Sequence, residues 1–322
     1  MATRTPIIIG PWTGEVGYEL LYWIPFVRWV VETLQIPREQ LFVISRGGTS
    51  SWYGDLAYRY ADVFSFVTFD EWTAPGAHPP ASSWTEVKRQ KRLAARHGER
   101  LRAEVLYRVQ QAYNLPHVVP LRPEIMQALF NPVWGLEEPI EHLRAYTRYA
   151  PITAPALGPE LPLSDYVAIR FYASWAFPTD NRAFAQEVID RVSQYLPVVL
   201  LNQPYSVDDH SDLGAGPVYA FNDAMALASN LEVQTAVIGR AKAFVGTYGG
   251  LSYLAPFLGV PSVGVHTALR ASRLQRRPQR LAKVHLDVAT HIFAEWNQPF
   301  LVFDAKVRAE KVVRRTMERL GW

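Results

Sequence analysis

Short apolar runs, each ending at a glycine or polar turn and followed by a longer amphipathic stretch, constrain this chain more than any other feature. Ile7-Ile8-Ile9 runs into Gly10, and Pro11-Trp12-Thr13-Gly14 then leads into a mostly apolar segment ending near Leu34. Leu41-Phe42-Val43-Ile44-Ser45 repeats the pattern before Arg46-Gly47-Gly48, and Phe64 to Phe69 is a further strand candidate. Such runs fit buried strands, and their alternation with helices predicts βα units in an open parallel sheet.

The second half restarts the pattern. Tyr166 to Phe171 and Val198 to Leu201 read as strands flanking a helix from about Asn181 to Tyr195. A helix over Asn230 to Gly239, a strand over Ala243 to Val245, a helix over Leu251 to Leu258 and a strand over Ser262 to Val265 continue it. Between the halves, Pro151, Pro155, Gly158, Pro159 and Pro162 stop helix and sheet alike. The predicted organisation is therefore α/β with two doubly wound domains, over residues 1–150 and 163–303, a linker over 151–162, and a terminal amphipathic helix within 304–322. Trp84 to about Tyr113 is charged, proline-free and carries an apolar stripe, which predicts one long helix. Gly98 is its weak point, at about 1 kcal/mol against alanine.

Composition removes several chemistries. With no cysteine among 322 residues there are no disulfides, thiolate nucleophiles or sulfur-ligated zinc sites. The longest apolar region, Tyr18 to Val31, is broken by Glu19, Pro25 and Arg28, short of the roughly 20 residues a spanning helix needs. Ile7 to Gly10 is too short for a signal-peptide core, so a cytoplasmic location is the expectation. The net charge is only +3, yet Arg270, Arg273, Arg276, Arg277, Arg280 and Lys283 cluster without an acid between His266 and Leu286. Such a stretch suits phosphates, nucleic acid or an anionic membrane surface, and equally a solvated helix face.

The segment Gly246-Thr247-Tyr248-Gly249-Gly250-Leu251-Ser252 follows a predicted strand and opens a predicted helix. Glycines let backbone amides approach a ligand, and the unpaired N–H groups of a first helical turn suit a phosphate or pyrophosphate. Thr247 and Ser252 add hydroxyls. No lysine follows the glycines, so this is not a Walker loop, and a tight strand-to-helix turn alone would also use glycine here. Asn202 to Asp212 follows a strand end and should line a cleft; its Asp208 and Asp209 suggest a metal pair or merely a solvated turn. Trp12, Trp52 and Tyr53 are candidate stacking faces for a sugar or base, or core residues.

Ala243 to Ala255, continued by Gly259-Val260-Pro261-Ser262-Val263, resembles the donor-binding motif of GT-B glycosyltransferases, in particular heptosyltransferase-like and fucosyltransferase-like members. The resemblance implies two Rossmann-like domains facing a cleft, with a nucleotide-sugar diphosphate on the second. Thr247, Tyr248, Gly249, Gly250 and Ser252 are its implied contacts, with Asn202 and Arg240 also on the donor side. Arg170, at the end of Val167-Ala168-Ile169, matches an arginine that fucosyltransferase-like proteins present to the diphosphate. The stretch that follows it, Phe171-Tyr172-Ala173-Ser174-Trp175, departs from that pattern, and Arg170 would serve equally as an ion-pair partner.

Gly14-Glu15-Val16-Gly17-Tyr18-Glu19-Leu20 is similar to the turn where heptosyltransferase-like enzymes carry an acidic residue facing the acceptor. It implies Glu15, with Glu19 as competitor, as the base that takes the acceptor hydroxyl's proton, and Trp12, Gly14 and Gly17 on the acceptor side. Those relatives have aspartate there. Either glutamate would also suit the start of a helix. The function implied is metal-independent, inverting glycosyl transfer from a nucleotide-sugar donor, with no cofactor. Two other readings remain open: a nucleotide-sugar 2-epimerase-like isomerase, and a noncatalytic nucleotide- or nucleic-acid-binding module.

Overall fold

A computed structural model describes residues 5–73, 84–130, 139–156, 164–174, 177–203, 205, 211–215, 219–220, 226–267 and 276–321, without side-chain detail at 84–95, 219–220 and 276–282. In the first half, β1 (Ile7–Ile9) leads into one helical run: α1 (Val16–Tyr18), a π-helical segment Glu19–Trp23, and α2 (Ile24–Thr33). Then come β2 (Leu41–Ser45), α3 (Ser50–Tyr53), β3 (Arg59–Asp62), α4 (Phe69–Trp72), α5 (Trp84–Ala112), β4 (Val119–Leu121), α6 (Pro123–Phe130) and α7 (Pro139–Ala145). The strands pair in parallel in the order β3-β2-β1-β4.

The strand expected over Phe64 to Phe69 lies instead at β3. Asp62 accepts from the Phe64 amide, and Thr68 with Glu71 forms a capping box that starts α4. Polar side chains thus take the amides that a ladder would have used.

The second half contains β5 (Val167–Ala173), α8 (Arg182–Val192), β6 (Val198–Leu200), β7 (Ser211–Leu213), β8 (Tyr219–Ala220), α9 (Asn230–Arg240), β9 (Ala243–Thr247), α10 (Gly250–Phe257), β10 (Ser262–His266), α11 (Arg276–Glu295), β11 (Phe300–Asp304) and α12 (Ala309–Leu320). Its sheet runs β11-β10-β9-β5-β6-β8, all parallel, with β7 antiparallel to β5. Leaving β7 aside, this is the doubly wound order of dinucleotide-binding sheets, and winding reverses between β5 and β9. α12 packs on the second sheet beside α8, burying Val312, Val313 and Met317.

Strand faces alternate between two cores. Phe42 and Ile44 point outward to α5, while Leu41 and Val43 point inward; Val167 and Ile169 face α8, while Tyr166 and Ala168 face inward. Both faces are covered, which is why these strands read as unbroken apolar runs. The inner core is shared by the two halves: Trp23, Trp52 and Leu20 lie in one cluster with Phe244, Leu254 and Phe293. Ile152, at the start of the proline-rich connection, is buried in that cluster, and its amide donates to the Phe257 carbonyl.

Candidate active site between the two sheets

The carboxyl ends of the inner strands of both sheets open on one cleft with about 1040 Å³ of empty volume, open to solvent. From the first half Glu15, Gly17, Tyr18, Tyr22 and Arg46 line it; from the second come Arg170, Tyr172, Gln203, Asn230, Tyr248, Gly249 and Gly250, with His285 from α11. Open α/β sheets bind ligands at this edge, where winding reverses.

On the second sheet, Arg170 of β5 stands beside Gly246 of β9 at that reversal. A Cβ on Gly246 would run into the Arg170 carbonyl, so glycine is needed for the strands to pass. Gly249 has φ +139°, and the turn it makes sets the N-terminus of α10 at the cleft. Arg170 is buried, its Nε 3.1 Å from an Asp212 carboxylate oxygen and its Nη1 donating to Gln234 at 3.0 Å. It is both a cleft residue and an ion-pair partner, held rigidly by that pairing.

Several donor-side candidates sit elsewhere. The Thr247 hydroxyl is buried between strands, accepting from the Tyr172 amide and donating to the Tyr172 carbonyl. Ser252 is fully buried, and its hydroxyl bonds the Gly249 amide and carbonyl, closing the turn from beneath. The Asn202 amide donates to the Gly214 carbonyl and does not line the cleft. Arg240 ends α9, which runs back against the strands, so it stands at the opposite edge of the sheet near Tyr166.

On the first sheet, Glu15 is exposed in the cleft at the N-cap of α1, with extended backbone and no side-chain capping bond. Glu19 is wholly buried beneath it, accepting from the Ser45 hydroxyl at 2.5 Å and the Tyr53 hydroxyl at 2.7 Å. It is a core carboxylate, out of reach of an acceptor. Trp12 is buried and stacks on Trp23 with ring centroids 5.8 Å apart, while Trp52 and Tyr53 are also buried, so none is a stacking face. Gly14 contributes its carbonyl, which accepts from Arg46 at 2.9 Å. Gly17 lines the cleft as a packing residue: a Cβ there would stand 3.2 Å from the Tyr253 ring.

Cleft residues that were not singled out from sequence include Tyr18, Tyr22, Arg46, Asn230 and His285. Arg46 follows β2 directly, at the strand end where ligand contacts gather; its guanidinium lies 5.4 Å from the Trp72 ring centre. The buried Asn230 opens α9, and its side-chain oxygen Oδ1 has no hydrogen-bond partner among the described residues. His285 emerges from an amphipathic helix with no local signal. Its Nδ1 is 2.5 Å from the Tyr22 hydroxyl and its Nε2 is 3.1 Å from that of Tyr18. Burial pushes its pKa down to about 4, so the ring is neutral near pH 7. Tyr18 is raised, first by burial and then by the Glu15 carboxylate.

Among the described residues no group of three or more His, Asp or Glu side chains is placed to hold a metal ion. Asp208, Asp209 and His210 lie outside the described residues, and Asp212 is engaged with Arg170. The Arg270 to Lys283 stretch also falls outside them in its side chains, except for Lys283, which is exposed. No helix among the described residues is long and apolar enough to cross a membrane.

No family model matches the chain, and no curated protein matches it. Among solved structures it is similar to TibC, an iron-containing dodecameric glycosyltransferase of enterotoxigenic E. coli, at 14% identity and TM-score 0.42, over 81% of this chain and 58% of that one. The chain thus spans little more than half of TibC. It is similar to E. coli ADP-heptose LPS heptosyltransferase II at 11% identity and TM-score 0.43, over 89% and 99% of the two chains. SnogD, a glycosyltransferase of Streptomyces nogalater, aligns at 11% identity and TM-score 0.34 over 99% and 96%. Two Rossmann-type parallel sheets with their carboxyl edges turned to one cleft form a GT-B-like architecture.

Proposed function

We propose that the protein transfers a sugar from a nucleotide-diphosphate donor to a hydroxyl acceptor in this cleft, without a metal and with inversion. One observation carries the reading. Arg170 and the N-terminus of α10 meet at the winding reversal of a dinucleotide-type sheet, and the exposed Glu15 carboxylate shares the same cleft. A guanidinium and first-turn amides suit a diphosphate, and they offset the charge it gains on leaving. Glu15 takes the proton from the acceptor hydroxyl. That oxygen then bonds to the anomeric carbon as the carbon–oxygen bond to the diphosphate breaks, and the nucleoside diphosphate leaves with the electron pair.

The test is release of nucleoside diphosphate from a panel of nucleotide sugars, with and without saccharide acceptors. Glu15→Gln is expected to lower acceptor-dependent release by about 10²–10⁴-fold, the usual worth of a general base. Because Glu15 is exposed and glutamine keeps its size, the unfolding midpoint of Glu15→Gln should match the wild type. Undiminished transfer in Glu15→Gln would remove it as the base. Conversion of a nucleotide sugar to its epimer without acceptor would replace transfer by isomerisation.

A further inference from the structure

His285 belongs to the second half of the chain, and both its ring nitrogens meet tyrosines of the first. Tyr18 and Tyr22 are four residues apart in the helical run containing the π-segment, so they present their rings to one side. His285 packs against both, with ring centroids 4.9 Å from Tyr18 and 5.3 Å from Tyr22. A neutral imidazole has one donor and one acceptor nitrogen, so the two contacts run in opposite senses.

The Tyr22 hydroxyl lies 2.5 Å from Nδ1 and that of Tyr18 3.1 Å from Nε2, and two tautomers satisfy this pair. In one of them Tyr22 donates to Nδ1 and the Nε2–H donates to Tyr18. Tyr22 is buried and Tyr18 lines the cleft beside Glu15. In that tautomer, with its oxygen receiving the Nε2 proton, the Tyr18 hydroxyl turns its own proton away from His285.

We propose that Tyr22, His285 and Tyr18 form a directed hydrogen-bond chain that aims the Tyr18 hydroxyl proton into the cleft, where Tyr18 donates to an acceptor oxygen neighbouring the one Glu15 deprotonates. This rests on the sugar-transfer reading. Tyr18 is then a substrate-contacting residue that orients the acceptor, and His285 is a positioning residue acting through it. Because His285 and the tyrosines come from opposite sides of the cleft, the donor is correctly aimed only when the two halves are seated together.

The chain fixes the tautomer of His285, so nitrogen-15 NMR of imidazole-labelled protein tests it without any substrate, with His285→Gln identifying the resonances. The expected spectrum has Nε2 protonated and Nδ1 bare; a protonated Nδ1 overturns the chain. Kinetics test the donation. Tyr18→Phe should lower kcat/KM for the acceptor by about 10–100-fold, as loss of a hydrogen bond that selects a substrate does. Nucleoside diphosphate binding should be unchanged. His285→Phe should match that loss, the double variant should fall no further, and His285→Gln, which can still donate to Tyr18, should recover most of it. Full acceptor kcat/KM in Tyr18→Phe, or additive losses in the double variant, would overturn the role of Tyr18. If wild-type protein releases no nucleoside diphosphate from any nucleotide sugar, the transfer reading fails, while the tautomer still decides the chain.

Discussion

Glu15 and Glu19 stand four residues apart in sequence, but only one faces the cleft. Glu15 precedes the first helical turn with extended backbone, whereas Glu19 opens the π-segment and points down between Ser45 and Tyr53. Sequence placed both at a strand-to-helix turn; the single helical turn Val16–Tyr18 that separates them, and the π-segment that Glu19 opens, leave no mark in composition. His285 was equally illegible, because its partners lie more than 260 residues away and its own helix shows only amphipathic spacing. Its titration has a definite sign. Burial lowers its pKa from 6.5 to about 4, so the stability it contributes is present above pH 6.5 and is lost as pH falls through 4. The full loss is about 3 kcal/mol. Asp62, raised from 3.8 to about 6 by burial, works in the opposite sense, its stabilisation being lost as pH rises through 6. Urea unfolding of wild type and His285→Gln at pH 7 and pH 4 isolates the histidine: wild type should lose about 3 kcal/mol more on acidification than the variant. Equal losses would mean that His285 titrates normally in the fold.

At the scale of elements, the βα alternation was readable because both faces of each strand are covered, and uninterrupted apolar runs such as Leu41 to Ile44 have few other uses. The helix over residues 84–112 was readable for a different reason, a long proline-free stretch with an apolar stripe. Phe64 to Phe69 misled because its aromatics, which suit a strand, pack instead in a short helical turn whose amides are held by Asp62 and Thr68. The glycine turn was read correctly as a strand-to-helix junction, but its residues divide the work differently. Gly246 serves the close pairing of β9 with β5, Thr247 and Ser252 bond the backbone around them, and Tyr248 to Gly250 reach the cleft. Gly246→Ala should therefore destabilise the protein by about 3 kcal/mol, the upper range for an overpacked core, because the obstacle is a backbone carbonyl that cannot swing away. Urea unfolding checks it; a midpoint equal to that of wild type would show that β5 and β9 have room to separate.

Over the whole molecule, the proline-rich connection was read as a linker between two domains, and the inner core contains residues of both halves. The Trp52 indole donates to the Thr235 hydroxyl at 2.8 Å, and the amides of Leu231 and Glu232 both donate to the Gly47 carbonyl at 2.9 Å. A Cβ on Gly250 would stand 2.9 Å from Val16, so α10 meets α1 at nearly the closest approach glycine allows. These contacts join residues of the two halves that are far apart in sequence, a match that no local pattern announces. They hold the edge of one sheet against that of the other, and the cleft takes its shape from that seating. The central claim, that this cleft takes a nucleoside diphosphate at Arg170 and the start of α10, is tested most directly by thermal unfolding with UDP, GDP, ADP, CDP and dTDP in parallel. A ligand at a hundredfold excess over its Kd stabilises the native state by about 2.7 kcal/mol. The account predicts a raised Tm with at least one nucleotide, unchanged by EDTA and sharply reduced in Arg170→Lys, which keeps the charge but loses the fork. No shift with any of the five, or a shift that Arg170→Lys leaves intact, would contradict it.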